Sequence, residues 1–254
     1  MLEVKNLTKY YRKRAVVDDV SFPIAPGIVT GYLGPNGSGK STTVKMITGL
    51  IEPSAGKVLL DGIDVRKNLP AFRRRLGYVP EEAILYSYMT GLEYLQLVGR
   101  LRGLSERDID RKANDLLALF SLHQHRYGSI SSYSKGMKQR ILISAALMHN
   151  PDLLILDEPL SGMDVTSAQL FKYLLEELAR EGKAILYISH VLEVVEKVCG
   201  RVIVLHKGKV MANDSVERLR GLMDLPSLVD IFSELTEEPD LKGMASDIVS
   251  AIAG

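Results

Sequence analysis

The sequence has no tryptophan and one cysteine, and its charges almost cancel: 32 Lys and Arg stand against 31 Asp and Glu, a formal net charge of +1. A single thiol excludes an internal disulfide and suits a reducing compartment. Cys199 reads as a buried spectator, because free cysteine packs as a small hydrophobe. Balanced charge excludes a global field that would draw the chain to nucleic acid or anionic lipid. Long apolar runs are missing as well. None approaches the roughly 20 residues that cross a bilayer, and Met1-Leu2-Glu3-Val4-Lys5 lacks the apolar stretch of a secretory signal. If the chain serves transport, another chain must supply the channel.

What is present is a globular composition, 46% apolar and 25% charged over 254 residues, enough to bury a substantial core. Residues 1–81 contain short β-rich runs (Val16 to Ile24, Ile28 to Leu33, Lys57 to Leu60) punctuated by Gly and Pro, with one helix from about Gly39 to Gly49. Residues 82–150 change character. Leu92, Leu95, Leu97, Val98, Ile109, Leu116, Leu117 and Phe120 recur at helical spacing, and Ser105 with Asp108 resembles a helix-start cap. From Pro151 to about residue 210, strand and helix alternate: Leu153 to Leu156, a helix from Val165 to Arg180, Ala184 to Ile188, a helix from Val191 to Cys199, then Val202 to Leu205. Such alternation implies a mostly parallel sheet flanked by helices, an α/β fold. Residues 211–254 read as a C-terminal helical extension. Ile248, Val249 and Ile252 would suit a terminal amphipathic helix or a frayed end.

Gly34-Pro35-Asn36-Gly37-Ser38-Gly39-Lys40-Ser41 fits the phosphate-loop pattern G-x-x-x-x-G-K-[ST]. Glycines let the backbone curl so that successive N–H groups converge on one anion, and the following helix adds its free N-terminal donors. Lys40 would reach the β- and γ-phosphates, the Ser41 hydroxyl would sit on Mg²⁺, and Thr42 completes the cradle. Leu153-Leu154-Ile155-Leu156-Asp157-Glu158-Pro159 is an apolar strand ending in two acids. Asp157 is placed to support Mg²⁺, and Glu158 to polarise an attacking water as general base. Together these motifs predict ATP and Mg²⁺ as ligands and hydrolysis as the reaction.

Beyond those two motifs the chain resembles the ATP-binding subunits of ABC transporters, over nearly all of residues 2–210. Ser132-Tyr133-Ser134-Lys135-Gly136-Met137-Lys138-Gln139-Arg140 is similar to that family's signature segment, matching its core at Ser134 and Gly136 and departing at Tyr133, Lys135 and Met137. Ser161-Gly162-Met163-Asp164 resembles the D-loop, His190 the switch histidine, and Tyr11 the aromatic that meets adenine, with Tyr10 as the alternative. Glu81 stands where the family usually has a metal-touching glutamine, so it keeps an oxygen for Mg²⁺ and adds a negative charge.

The resemblance implies a phosphate-loop NTPase core with a mostly parallel sheet, an N-terminal antiparallel β subdomain and an inserted helical subdomain. It also implies a homodimer or pseudo-dimer in which Ser134 and Gly136 of one copy face the phosphate loop of the other. The working partner would be a separate transmembrane permease, contacted through residues near Tyr86, Tyr88 and Met89, and no nucleic acid. That arrangement would place the chain in the cytoplasm, peripheral on the inner face of the membrane. Export-type systems are the better match, on the signature segment, Glu81 and Leu228-Val229-Asp230-Ile231-Phe232. The competing readings are a soluble ABC ATPase acting on nucleic acid or ribosomes, and a regulator that binds nucleotide without hydrolysing it. His123 and His125 lack a third ligand nearby and are given no metal role.

Overall fold

Two sheets organise the chain in a computed structural model that describes residues 1–236 and 249–252. In chain order the elements are β1 (Leu2–Tyr11), β2 (Arg14–Ile24), β3 (Val29–Leu33), α1 (Lys40–Ile47), β4 (Ala55–Leu60), β5 (Ile63–Asp64), α2 (Leu69–Arg75) and β6 (Leu76–Val79). Then come α3 (Gly91–Leu101), α4 (Glu106–Leu119), α5 (Lys135–Leu147), β7 (Leu153–Asp157), α6 (Val165–Arg180), β8 (Ala184–Ile188) and α7 (Leu192–Val198). β9 (Arg201–His206), β10 (Lys209–Asp214), α8 (Val216–Met223) and α9 (Leu228–Thr236) follow.

The N-terminal sheet has the order β2-β1-β4-β5 and is antiparallel throughout. The second sheet has the order β10-β9-β3-β8-β7-β6. Its strands run parallel except β10, which returns antiparallel to β9. β3, β7 and β8 are buried at every position. That explains why β7 and β8 are near-continuous apolar runs rather than alternating ones, since both faces of the sheet are covered. α3, α4 and α5, all between β6 and β7 in sequence, form the inserted helical unit. Thr90 starts α3 with a reciprocal capping box, and Ser105 Oγ accepts the Asp108 N–H at 3.2 Å at the start of α4, as the sequence suggested.

The C-terminal boundary needs correction. Residues 211–214 are not part of a helical extension, because Lys209–Asp214 forms β10 on the edge of the main sheet. Lys207 (φ 46°) and Gly208 (φ 81°) both adopt left-handed backbone, as a type I′ hairpin turn requires, and this reverses the chain. The helical part begins at Val216. In the described residues 249–252 a helical turn leaves Val249 and Ile252 exposed. Ile248 lies outside the described residues.

Candidate active site

Parallel strands end in one direction, so the loops that follow them gather along one edge of the sheet, the usual place for a ligand in such folds. β3 delivers Gly34 to that edge, β6 delivers Glu81, β7 delivers Asp157 and Glu158, and β8 delivers Ser189 and His190. Register places them side by side: Asp157 is paired with Ile188, and Tyr32 with the same residue from the other side.

The phosphate loop needs its glycines for room. A Cβ on Gly34 would lie 2.3 Å from the Leu205 carbonyl oxygen, and one on Gly39 (φ 108°) would lie 2.6 Å from that of Val16. α1 starts after Gly39 with no side-chain cap, so no side chain competes for its first-turn N–H donors. Lys40 Nζ donates to the carbonyls of Gly34 (2.5 Å) and Pro35 (3.1 Å). Burial pulls its pKa down, while Glu158, Asp157 and Glu81 pull it back up.

A cavity of about 210 Å³ joins these parts, with Asn36, Gly37, Gly39, Lys40, Ser41 and Thr42 on one wall. Glu81, Asp157, Glu158 and His190 form the other. Asp157, 6% exposed, is pushed up to about 6, first by burial and then by Glu81 and Glu158, with Lys40 and Lys45 opposing. Three carboxylates against Lys40 leave the cavity electron-rich. Two of them, with the Ser41 hydroxyl, form the all-oxygen set that a hard divalent cation such as Mg²⁺ prefers, so the residues fit that ion.

Glu158 is held tightly. Its backbone is left-handed (φ 47°) and its N–H donates to the Ile188 carbonyl at 3.0 Å. Its Oε1 accepts the His190 backbone N–H at 2.9 Å and stands 2.7 Å from His190 Nδ1, and Oε2 accepts the Ser189 hydroxyl at 3.2 Å. Ser189 was absent from the sequence reading, although a polar residue between an apolar strand and a histidine was a usable signal. Val16 was also missed. It lines the cavity from an ordinary alternating strand and offers no such signal.

The fold does not bring every expected residue here. Gly34 and Pro35 border a neighbouring cavity of about 360 Å³, and Pro35 and Ser38 a third, of about 500 Å³, beside Arg14 and His206. Ser134 caps its own helix, its Oγ accepting the Met137 N–H at 3.2 Å. Gly136 lies against residues 161–164, where a Cβ would be 2.4 Å from the Gly162 carbonyl oxygen. Tyr11 pairs through its backbone with Arg14 at the β1–β2 turn, and Lys9 Nζ sits 5.6 Å from its ring centroid. Tyr10 and Tyr11 are equally exposed, so exposure does not choose between them.

Known proteins resemble the chain in sequence and fold. The sequence pattern of the ABC transporter family matches residues 17–161. ABC transporter ATP-binding protein NatA of Bacillus subtilis (strain 168) is 40% identical over 204 residues, spanning 80% of this chain and 83% of NatA. Nod factor export ATP-binding protein I of Cupriavidus metallidurans is 34% identical, over 96% of this chain and 84% of its own. Among solved structures, an ATP-binding subunit of an ABC transporter superposes with a TM-score of 0.88 at 34% identity, over 92% of this chain and 99% of that one. The ATP-binding cassette MJ0796, dimeric in a post-hydrolysis state with ADP and Pi, superposes with a TM-score of 0.79 at 28% identity, over 85% of this chain and 98% of that one.

Proposed function

The chain belongs to the ABC transporter family as an ATP-binding subunit, and we propose that it hydrolyses ATP to drive a separate membrane-spanning subunit in the direction of export. The observation that carries the hydrolytic part is the clamp on Glu158. Three donors, the Ser189 hydroxyl, the His190 N–H and the His190 ring, fix its carboxylate beside Lys40 and Asp157.

Each residue then has a physical task. Backbone N–H groups of the phosphate loop and Lys40 hold the β- and γ-phosphates, and Tyr11 offers a face to the base. Ser41, Asp157 and Glu81 would hold Mg²⁺, which when bound neutralises charge across the phosphate oxygens. Glu158 Oε2 carries a single donor and so keeps a lone pair for the proton of the attacking water. His190 orients that carboxylate through Nδ1–H, and in the imidazolium form its Nε2–H can also donate to the γ-phosphate.

Ser134 and Gly136 lie outside the cavity of their own chain, which supports a site completed by a second copy, as in a two-fold dimer with two equivalent composite sites. The dimeric state of MJ0796 supports the same reading. For the membrane partner, an exposed aromatic pair supports contact near the helical unit: the rings of Tyr86 and Tyr88 lie 6.0 Å apart, and the half-buried Tyr94 backs Tyr86 at 6.3 Å. Among the described residues no helix is long and apolar enough to cross a membrane. The name of the Nod factor export relative favours export.

Glu158→Gln tests the central assignment. It should bind ATP within a few-fold of wild type and lose about a hundredfold or more in phosphate release, the usual reach of a general base. Near wild-type hydrolysis in that variant would discard the role of Glu158. Identifying the protein that co-purifies from detergent-solubilised membranes tests the transport partner.

A further inference from the structure

The His190 backbone is tied to Glu158, but its ring is held from one side only. Its side chain is 77% exposed, and its ring has Glu158 as its hydrogen-bond partner. Where the ring points therefore depends on the backbone that follows, which enters α7. That helix is seven residues long, starts at Val191 with no side-chain cap, and is too short to be stable by itself.

Of the contacts that fix α7, two bear on its direction. The first is apolar: Val195 is fully buried on β3, where Gly31 leaves just enough room, since a Cβ there would lie 2.7 Å from Val195 Cγ1. The second is polar. Glu196 Oε1 accepts the Leu228 N–H, in the first turn of α9, at 3.1 Å, and pairs with the guanidinium of Arg220 on α8. A carboxylate at a helix N-terminus is favoured by the helix dipole and satisfies a donor that the helix itself cannot. One side chain thus ties three helices together.

α9 in turn reaches the site. Leu228 and Ile231 are fully buried and seat the helix. Its Val229, Phe232 and Ser233 wall the 360 Å³ cavity whose opposite side is Pro35, Asn36, Ser189 and His190. α7 leaves the site through His190, α9 returns to it, and Glu196 joins the two.

We propose that Glu196 is a positioning residue. By tying α7 to the C-terminal helices it sets the direction in which His190 meets Glu158, and so makes α8 and α9 part of the hydrolytic machinery. This rests on the reading of Glu158 and His190 given above. Glu196 touches no reacting atom, so its loss should lower the rate of hydrolysis and spare ATP binding.

The test is a double-mutant cycle on the full chain, read by phosphate release with Mg·ATP alongside ATP affinity and thermal midpoint. Glu196→Ala should lower kcat about tenfold with KM for ATP within about twofold, the scale expected of coupling through packed elements. Glu196→Gln, whose amide oxygen still accepts the Leu228 N–H, should recover most of that loss. In a His190→Ala background, Glu196→Ala should add less than about twofold, because residues acting as a unit are not additive. The same tenfold loss with and without His190, or a parallel rise in KM, overturns the proposal. If Glu196→Ala does not fold, Arg220→Met carries the same cycle, breaking the ion pair while leaving the bond to Leu228. A His190→Ala single variant with undiminished kcat would instead show that the reading of His190 had failed.

Discussion

Nδ1 of His190 stands 2.7 Å from Oε1 of Glu158, across 32 residues of sequence and at the ends of two adjacent parallel strands. Both residues belong to loops, yet their backbones are braced, because Glu158 also accepts the His190 backbone N–H and donates its own to Ile188. Glu158 and the His190 backbone are thereby tied to the sheet. Loss of either should affect rate more than affinity.

Asp157 should trade stability against function. Its pKa is raised from 3.8 to about 6, chiefly by burial. Above about pH 6 the folded state carries a carboxylate that it would rather protonate. As pH falls through that value the folded chain takes up the proton first, so stability is gained between about pH 6 and 4. The shift corresponds to roughly 3 kcal/mol. In EDTA, the wild-type melting temperature should therefore rise from pH 7 to pH 5 relative to Asp157→Asn. That variant should be the more stable of the two at pH 7 while losing Mg²⁺-dependent turnover. Calorimetry at both pH values checks the sign.

Glu81 is the second cause of the Asp157 shift. Replacing it by Gln removes one negative charge from the cavity, so Asp157 should ionise at lower pH and the acid limb of the pH–rate profile should move down. The same loss should weaken the hold on metal, raising the Mg²⁺ concentration for half-maximal turnover roughly three- to tenfold in a partly wet cleft. A Mg²⁺ titration at fixed ATP over pH 5 to 8 separates the two effects. A limb that moved upward would contradict the charge argument.

Gly136→Ala should uncouple the signature helix from the D-loop. Its Cβ would lie 2.4 Å from the Gly162 carbonyl oxygen, a backbone atom that cannot swing aside, while the stem of Lys135 already covers Gly162. One element must shift, at about 1–3 kcal/mol for a buried overpacked site. The expected outcome is a folded protein with near-normal ATP affinity and strongly reduced turnover, measured by calorimetric titration and phosphate release.

Lys40→Ala removes the cation that faces Asp157, Glu158 and Glu81. ATP affinity should fall and turnover should drop about a hundred- to thousandfold, the cost of deleting one preorganised donor to developing charge. An unchanged affinity and rate would count against the whole phosphate loop as the binding element.

Much of the site was legible in the sequence because its chemistry is contiguous. Gly34 to Ser41 is one uninterrupted loop, and four apolar residues before Asp157-Glu158 announce a buried strand that ends in acids. α6 and β8 fall on the expected bounds, since their patterns are long or wholly apolar. β10 was not legible. Its short run alternates weakly, and the turn that makes it a hairpin rests on a single Lys-Gly pair.

By itself the sequence determined which residues could touch phosphate, hold metal and take a proton, because those roles follow from residue type at fixed local spacing. Tertiary structure decided who meets whom: Glu158 with Ser189 and His190, Glu81 beside Asp157, Glu196 beneath α9. The order β10-β9-β3-β8-β7-β6 comes from pairing strands far apart in the chain so that both faces of the sheet are covered. No local pattern carries that choice, since any buried apolar strand can pair with any other until the whole core is packed.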